Sequence, residues 1–159
     1  MLLTSCMKGV AKIPHMVMDD DKLADACVEK VFNSLKNKDT DELKSLFSKK
    51  AISEADNFND SVDDLLSFIQ GDLLSWNLDD SPVVSEEIEN GNNSKQLVIW
   101  FYLKTNKQNY LVFLVDYPVD TINKDNAGLY SLRIIKAEGE DKWTKPFEDY
   151  IIPGINIGL

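Results

Sequence analysis

The sequence contains very few of the residues that usually carry acid–base catalysis or bind nucleic acid. Among its 159 residues there is one histidine, His15, and one arginine, Arg133. His15 lies before the first predicted helix, in a segment that we interpret as a tether, so a histidine dyad or triad in the folded body is excluded. One histidine also excludes a histidine-rich metal centre. Phosphate backbones require clustered lysine and arginine side chains, and no basic run is present, so nucleic-acid binding is disfavoured.

Cysteine is equally scarce. Cys6 and Cys27 are the only two, and they form neither a disulfide framework nor a zinc-binding spacing. Cys27 falls on the apolar stripe of a predicted helix, where a buried, unreactive thiol is expected. Four aspartates between residues 56 and 64 suggest calcium, but Phe58 stands where an oxygen ligand is needed, and the glycines are too isolated for a phosphate-binding loop. Neither a metal site nor a cofactor is expected.

The remaining composition is that of a soluble globular domain. Hydrophobic residues make up 43% of the chain and charged residues 28%, and this length is typical of one domain. No run reaches the roughly 18 apolar residues that a membrane-spanning helix needs. The net charge is −10 and is unevenly distributed, because residues 19–89 contain 19 acidic and 7 basic side chains. We interpret this acidity as a solvated, self-repelling surface.

The first half of the chain has helical periodicity. From Asp20, apolar residues recur at steps of three and four, which predicts an amphipathic helix with acidic residues at its favourable N-terminal end. After a polar break, Thr40 is predicted to cap a second, short helix, and Ser48 to begin a third. Asn59 or Asp60 is predicted to cap a fourth helix, with Gly71 as its left-handed stop.

After Gly71 the period changes to that of β-strands. Short runs rich in β-branched and aromatic residues, separated by polar clusters, predict strands at residues 73–78, 83–88, 96–105, 110–119 and 129–137. Helices followed by strands predict an α+β fold, with N-terminal helices packed on a curved, mainly antiparallel sheet. The third and fourth strands are apolar on both faces, so each face needs a cover. Helices provide one cover; a curled sheet, the C-terminal tail or a second subunit provides the other.

The N-terminal residues Leu3-Thr4-Ser5-Cys6 resemble the bacterial lipobox, in which the cysteine is lipidated and becomes the new N-terminus. Only Met1 and Leu2 precede these four residues, so we interpret residues 1–19 as a truncated signal remnant and tether, and residues 20–159 as a single domain. This resemblance implies export and a lipid anchor at Cys6 on the outer face of a bacterial membrane. If the match is coincidental, the protein is cytoplasmic.

Further along the chain, several phrases are similar to an uncharacterised family of bacterial lipoproteins. They are Lys36-Asn37-Lys38-Asp39, Leu43-Lys44-Ser45-Leu46-Phe47-Ser48, Gly71-Asp72, Ser75-Trp76, the strand at residues 110–120 and Gly128-Leu129-Tyr130-Ser131-Leu132-Arg133. The resemblance implies a cystatin-like cone of the nuclear-transport-factor-2 type, whose open end can hold a ligand. It implies no catalytic residues, so function has to be argued from the cavity.

Two aspartates on the fourth strand are candidate functional residues. Asp116 and Asp120 share a face if the strand is regular, and Asp116 interrupts an apolar run. If Asp116 is desolvated, its pKa rises, and it could act as an acid or base or bind a polar ligand group. The alternative is that Pro118 marks an edge or a bulge, which leaves Asp116 in water or bonded to a neighbour.

Five aromatic side chains complete the candidate ligand-binding set, which we assign either to ligand lining or to core and dimer contacts: Trp76, Trp100, Tyr102, Tyr110 and Tyr117. The favoured hypothesis is a non-catalytic, surface-anchored module that binds a small molecule or a protein partner. The first alternative is an isomerase or hydrolase that uses Asp116 with Tyr102 or Tyr117. The second is a structural domain that forms a homodimer through its sheet.

Overall fold

The computed structural model describes residues 19–143 and 147–158, which form four α-helices followed by six strands, with three short 3₁₀ helices (Lys124–Asn126, Ala137–Lys142 and Phe147–Tyr150) in the connections before and after the fifth strand. The helices are α1 (Asp20–Asn37), α2 (Thr40–Leu46), α3 (Lys49–Glu54) and α4 (Phe58–Phe68), and the strands are β1 (Leu73–Leu78), β2 (Val83–Glu89), β3 (Asn92–Thr105), β4 (Asn109–Asp120), β5 (Gly128–Lys136) and β6 (Gly154–Ile157). The predicted α+β fold is confirmed. Cys6 and His15 lie outside the described residues.

The start of α2 differs from the prediction, whereas the start of α3 agrees with it. Asp39, not Thr40, caps α2, because its carboxylate accepts the backbone N–H of Glu42 at 2.9 Å. Ser48 caps α3 as expected, and its hydroxyl accepts the N–H of Ala51 at 3.0 Å. Both α2 and α3 therefore begin at a side chain that accepts a hydrogen bond from a free backbone N–H of the first turn.

Helix α4 begins earlier than predicted. The sequence favoured Asn59 or Asp60 as its cap, but the helix starts at Phe58, after Asn57 in a left-handed conformation. The Phe58 ring is buried and packs edge-on against the ring of Phe47, with the ring centroids 5.0 Å apart. Tertiary packing thus sets this boundary. At the other end, α4 stops at Phe68, and Gly71 follows at a positive φ in the connection to β1.

The six strands form one open sheet in the order β1-β3-β4-β5-β6, and β2 pairs with β3 beside β1. All neighbours are antiparallel except β5 and β6, which are parallel. The helices pack on one face, which gives a cone-like arrangement. Strand β6 was not predicted from the sequence, because its four residues, Gly154–Ile157, are too few to show a period. In the described part of the chain, no helix is long and apolar enough to cross a membrane.

Both faces of the central strands are covered, as their double apolar pattern predicted. The helices cover one face through a core that includes Leu97, Ile99, Phe101, Val112 and Leu114. On the other face, Trp143 and Tyr150, from the segment after β5, form a smaller cluster with Val98, Phe113 and Val115 of the sheet. Of the three covers considered, the C-terminal segment therefore occupies this face.

A β-bulge decides where the two candidate aspartates point. Between β3 and β4, Lys95 pairs with Val119 and Leu97 pairs with Asp116, so β4 contains one extra residue here. Asp116 follows the alternation of Val112 and Leu114 and faces the helices; the bulge after it reverses that alternation, so Asp120 lies with Ser94 on the opposite side. The regular strand needed for a shared face is absent from this segment, because an extra residue between Asp116 and Val119 interrupts it.

Candidate functional site

A cleft of about 350 Å³ lies between α1, α2 and the adjacent ends of β4 and β5. We name it the Asp116 cleft, because that side chain is its most buried ionisable group and is 9% exposed. Its lining consists of Leu23, Ala26, Cys27, Lys30, Ser45, Leu46, Asp116, Tyr117, Pro118, Gly128 and Leu129. The walls are therefore largely apolar, and the few polar groups are drawn from α1, α2 and β4.

The helical period of α1 explains one wall of the Asp116 cleft. Leu23, Cys27 and Lys30 follow one another at steps of four and three residues, so they lie along one face of the helix. Leu23 and Cys27 are half-buried against the main core, whereas Lys30 is exposed at the cleft mouth. The wall thus changes from apolar at the base to cationic at the opening.

The opposite wall depends on a close approach between two backbones. The N–H of Ser48 donates to the carbonyl of Leu129 at 2.8 Å, which ties the end of α2 to the start of β5. Gly128 has a φ of +115°, and a Cβ at this position would lie 2.9 Å from the carbonyl oxygen of Leu46. Only glycine combines this backbone conformation with this contact, so this wall of the Asp116 cleft requires Gly128.

The electrostatics of Asp116 distinguish this cleft from an ordinary surface groove. Burial raises the pKa of the Asp116 carboxyl to about 6, although the Lys30 ammonium, the Cys27 thiol and the N–H of Tyr117 each oppose that rise. The carboxyl therefore changes protonation state close to neutral pH. Burial, followed by the nearby Asp116 carboxylate, raises the pKa of the Cys27 thiol well above its usual value. Cys27 consequently stays a protonated thiol at neutral pH, as an unreactive cysteine would.

Two of the predicted aromatic residues hold the fold together on the helix side. The indole N–H of Trp76 donates to the carboxylate of Glu29 at 2.8 Å and ties β1 to α1. Tyr110 is fully buried, and its hydroxyl accepts the N–H of Gln70 at 2.8 Å and donates to the carbonyl of Phe68 at 3.2 Å. The structure therefore places neither ring in the Asp116 cleft.

Two other predicted residues, Trp100 and Tyr102, lie on the opposite face of the sheet. Trp100 packs against Trp143 with ring centroids 4.6 Å apart. The Tyr102 hydroxyl donates to the carboxylate of Glu140 at 2.7 Å, an interaction that raises the Tyr102 pKa to about 12. Both side chains are thus engaged with the segment that covers this face, and the sheet separates them from Asp116.

Tyr117 and Asp120 have different surroundings. Tyr117 borders the Asp116 cleft, but its ring lies 6.3 Å from that of Tyr130 and packs with the smaller cluster. Asp120 is buried and accepts hydrogen bonds from Ser94, Asn123 and Asn126. Burial alone would raise the Asp120 pKa, but these hydrogen bonds outweigh it and hold the pKa below its usual value. Asp120 therefore anchors the loop that leads to β5.

Elsewhere in the described residues, clefts contain fewer buried ionisable groups than the Asp116 cleft does. A cleft of about 400 Å³ lies between the ends of α1 and α4 and the start of β1, but its charged residues, Lys36, Lys38 and Asp72, are all exposed. Within residues 19–143 and 147–158, no three His, Cys, Asp or Glu side chains are close enough together to hold a metal ion. The Asp116 cleft is therefore the stronger candidate site.

Comparison with known families adds the identity of the domain. The model of a family described as a domain of unknown function (DUF5104) matches residues 30–137, which is about two thirds of the chain. The chain belongs to this family. No curated protein matches it.

The match of the DUF5104 family covers most of the site. Lys30, Leu46, Asp116 and Leu129 fall inside the matched range, whereas Leu23 and Cys27 precede it on the first turns of α1. The strand β6 and the covering segment around Tyr150 follow it.

Sequence reasoning missed the α1 side of the cleft in this DUF5104 domain. It assigned Cys27 to an apolar stripe and gave Lys30 no role, because a helical period shows which residues share a face but not which strand that face meets. One available signal was that a thiol and a cation follow Leu23 along one face of the helix, beside the apolar stripe. The contact with Asp116 depends on tertiary packing alone.

Proposed function

We propose that this DUF5104 domain is a non-catalytic binding module that takes a small molecule in the Asp116 cleft. The molecule would combine an apolar body with a hydrogen-bond donor that meets the Asp116 carboxyl. The observation that carries the proposal is a carboxyl group 9% exposed to solvent, with a pKa raised to about 6, inside a largely apolar cleft. A few convergent polar groups in an apolar concavity are typical of small-molecule sites.

The energetics of the carboxyl favour a ligand with a donor group. Burial penalises the charged form of Asp116, and the Lys30 ammonium and the Cys27 thiol compensate for only part of that cost. A donor from a ligand would satisfy the remaining oxygen positions while its apolar part contacts Leu23, Leu46 and Leu129. Binding should therefore favour amines, alcohols or amides that carry a hydrocarbon group.

A second candidate is an enzyme of the isomerase or hydrolase type that uses Asp116. It is favoured by the same pKa of about 6, because a general acid or base works best when its pKa lies near the working pH. The Tyr102 hydroxyl is on the other side of the sheet, and Tyr117 packs its ring against Tyr130, so neither supports Asp116 as a catalytic partner. Turnover of a bound compound by the wild type, but not by Asp116→Asn, would establish this alternative.

The binding proposal is tested with a thermal-shift screen of small amines, alcohols and amides that carry alkyl or aryl groups. A ligand at about one hundred times its Kd should stabilise the wild-type protein by about 2.7 kcal/mol, which is a measurable rise in Tm. The Ala26→Trp variant should lose the shift, because Ala26 is an exposed residue of the cleft wall and an indole there fills the opening.

The matched control is Asp25→Trp, one residue away on α1, exposed and outside the lining. It should retain the Tm shift of the wild type. If active compounds shift Ala26→Trp as much as Asp25→Trp, they bind elsewhere and the Asp116 cleft is not their site. A screen in which no compound shifts the wild type would count against a small-molecule module.

We also propose that the domain is held on the outer face of a bacterial membrane by a lipid on Cys6. The support is the resemblance of residues 3–6 to the lipobox. When the gene is expressed with its upstream codons, mass spectrometry should find diacylglycerol on Cys6 and the protein in the membrane fraction. The Cys6→Ser variant should carry no lipid. An unmodified Cys6 in the wild type, with the preceding residues still attached, would contradict the anchor.

A further inference from the structure

The strand β2 lies at the edge of the sheet and is exposed along its whole length. It pairs with β3 from Val83 opposite Val98 to Glu89 opposite Asn92, and all seven of its residues are exposed. Among the described strands, none pairs with its outer side. An edge strand of this kind presents a row of unpaired backbone N–H and C=O groups, which is a template for another strand.

The side chains of β2 are unusually apolar for an exposed edge. Ile88 is 72% exposed, Val83 is 48% exposed and Val84 is 37% exposed. These β-branched residues suit a strand, and Pro82 precedes the strand without interrupting it. Between Val83 and Glu89 the strand has no lysine, proline or bulge, and the charged side chains that it does carry are all carboxylates.

The charge on this edge identifies the kind of partner it fits. Residues 79–89 contain five carboxylates and no lysine or arginine: Asp79, Asp80, Glu86, Glu87 and Glu89. On β3, Lys95 lies opposite Glu86, but its ammonium pairs with Asp20 at 2.7 Å. Pairing with a second copy of the same strand would bring like charges together, which is unfavourable. A segment carrying Lys or Arg would instead be attracted to it.

We propose that β2 is a docking edge to which an extended, Lys- or Arg-containing segment of a partner protein adds as a further strand of the sheet. Backbone hydrogen bonds to the free side of β2 would supply affinity, and alternate side chains would supply specificity. Because side chains alternate along the strand, Val84, Glu86 and Ile88 share one face of β2, and Glu87 and Glu89 lie on the other. Apolar residues of the partner would contact Val84 and Ile88, and its cations on the other face would meet Glu87 and Glu89. This surface is separate from the Asp116 cleft, so the docking proposal does not depend on the small-molecule proposal.

The test uses a fluorescently labelled peptide of alternating lysine and valine as the probe and fluorescence polarisation as the readout. The peptide should bind the folded protein with a Kd below about 1 mM, and more weakly as salt is raised. Two control peptides separate strand addition from charge attraction. A peptide of alternating glutamate and valine should not bind, and the lysine peptide with N-methyl groups on alternate amides should bind about tenfold more weakly.

Protein variants locate the binding surface. The double variant Glu87→Lys with Glu89→Lys, which reverses the acidic face of β2, should lose about tenfold in affinity. Asp63→Lys with Asp64→Lys, the same change of charge on the exposed side of α4, should bind as the wild type does. Hydrogen exchange of the β2 amides should slow when the lysine peptide is bound.

Four results would overturn the proposal. If both double variants lose affinity equally, the attraction is to net charge and not to β2. If the N-methylated peptide binds as well as its parent, no strand is added. If the lysine peptide does not bind, the edge is protected by charge. If light scattering shows a dimer of the free protein and its β2 amides are protected from hydrogen exchange, the edge meets a second copy.

Discussion

Replacing Asp116 by asparagine should raise the free energy of unfolding by about 3 kcal/mol near about pH 8 and leave it almost unchanged near about pH 4. Burial raises the pKa of this carboxyl from 3.8 to about 6 in the folded protein. The native state therefore holds a proton through a range in which the unfolded chain has lost it. Wild-type stability falls as the pH rises through this range, and the full penalty is present above the folded pKa.

The expected gain follows from the size of this shift. Each pKa unit corresponds to about 1.4 kcal/mol, and asparagine avoids the cost of ionisation while keeping an oxygen that can accept from the Cys27 thiol and the N–H of Tyr117. Urea denaturation of both proteins between about pH 4 and about pH 8 measures the difference. Asp63→Asn, on the exposed side of α4, is the control and should show no such dependence. Stability curves that run parallel for Asp116→Asn and the wild type would contradict a buried carboxyl at this position.

Replacing Gly128 by alanine should lower the free energy of unfolding by about 3 kcal/mol. Its φ of +115° is strained for any residue with a Cβ, and the added methyl would lie 2.9 Å from the carbonyl oxygen of Leu46 and 3.1 Å from the backbone nitrogen of Ser48. Neither backbone atom can move freely, because the hydrogen bond from Ser48 to Leu129 holds α2 and β5 together. Chemical denaturation at neutral pH measures the loss.

The control for this change is Gly139→Ala. Gly139 lies in the 3₁₀ helix after β5, and a Cβ there would meet no heavy atom within 4 Å. Its substitution should therefore change stability by less than about 1 kcal/mol in either direction. Equal effects of the two substitutions would show that the approach of β5 to Leu46 is looser than the structure describes.

The candidate site divides into a part that the sequence predicted and a part that it did not. The unfavourable placement of a carboxyl in an apolar strand identified Asp116 before any coordinates, because a polar residue in such a run is an exception that needs a reason. The aromatic residues gave no comparable signal. An aromatic residue gives the same sequence pattern whether its side chain lines a cavity or packs in a core. The locations of Tyr110, Trp76 and Trp100 were therefore decided only by the packing of the fold.

The register of β4 against its neighbouring strands could not be predicted from the sequence either. Asp116 and Asp120 have the spacing of residues on one face, yet one extra residue near Pro118 places them on opposite faces. Such a bulge depends on how β4 meets β3 and β5, and both of those pairings shift near Asp116. Proline indicated that the pairing could be interrupted, but not in which direction the following side chains would turn.

By itself, the sequence determined the succession of four helices and the first five strands, and the double covering of the central strands. These properties follow from local periods and from composition, which act over a few residues. Only the tertiary structure decided that α1 brings Cys27 and Lys30 to Asp116, and that the segment around Trp143 and Tyr150 covers the second face. Those contacts join residues far apart in the chain, and long-range packing, not local preference, selects them.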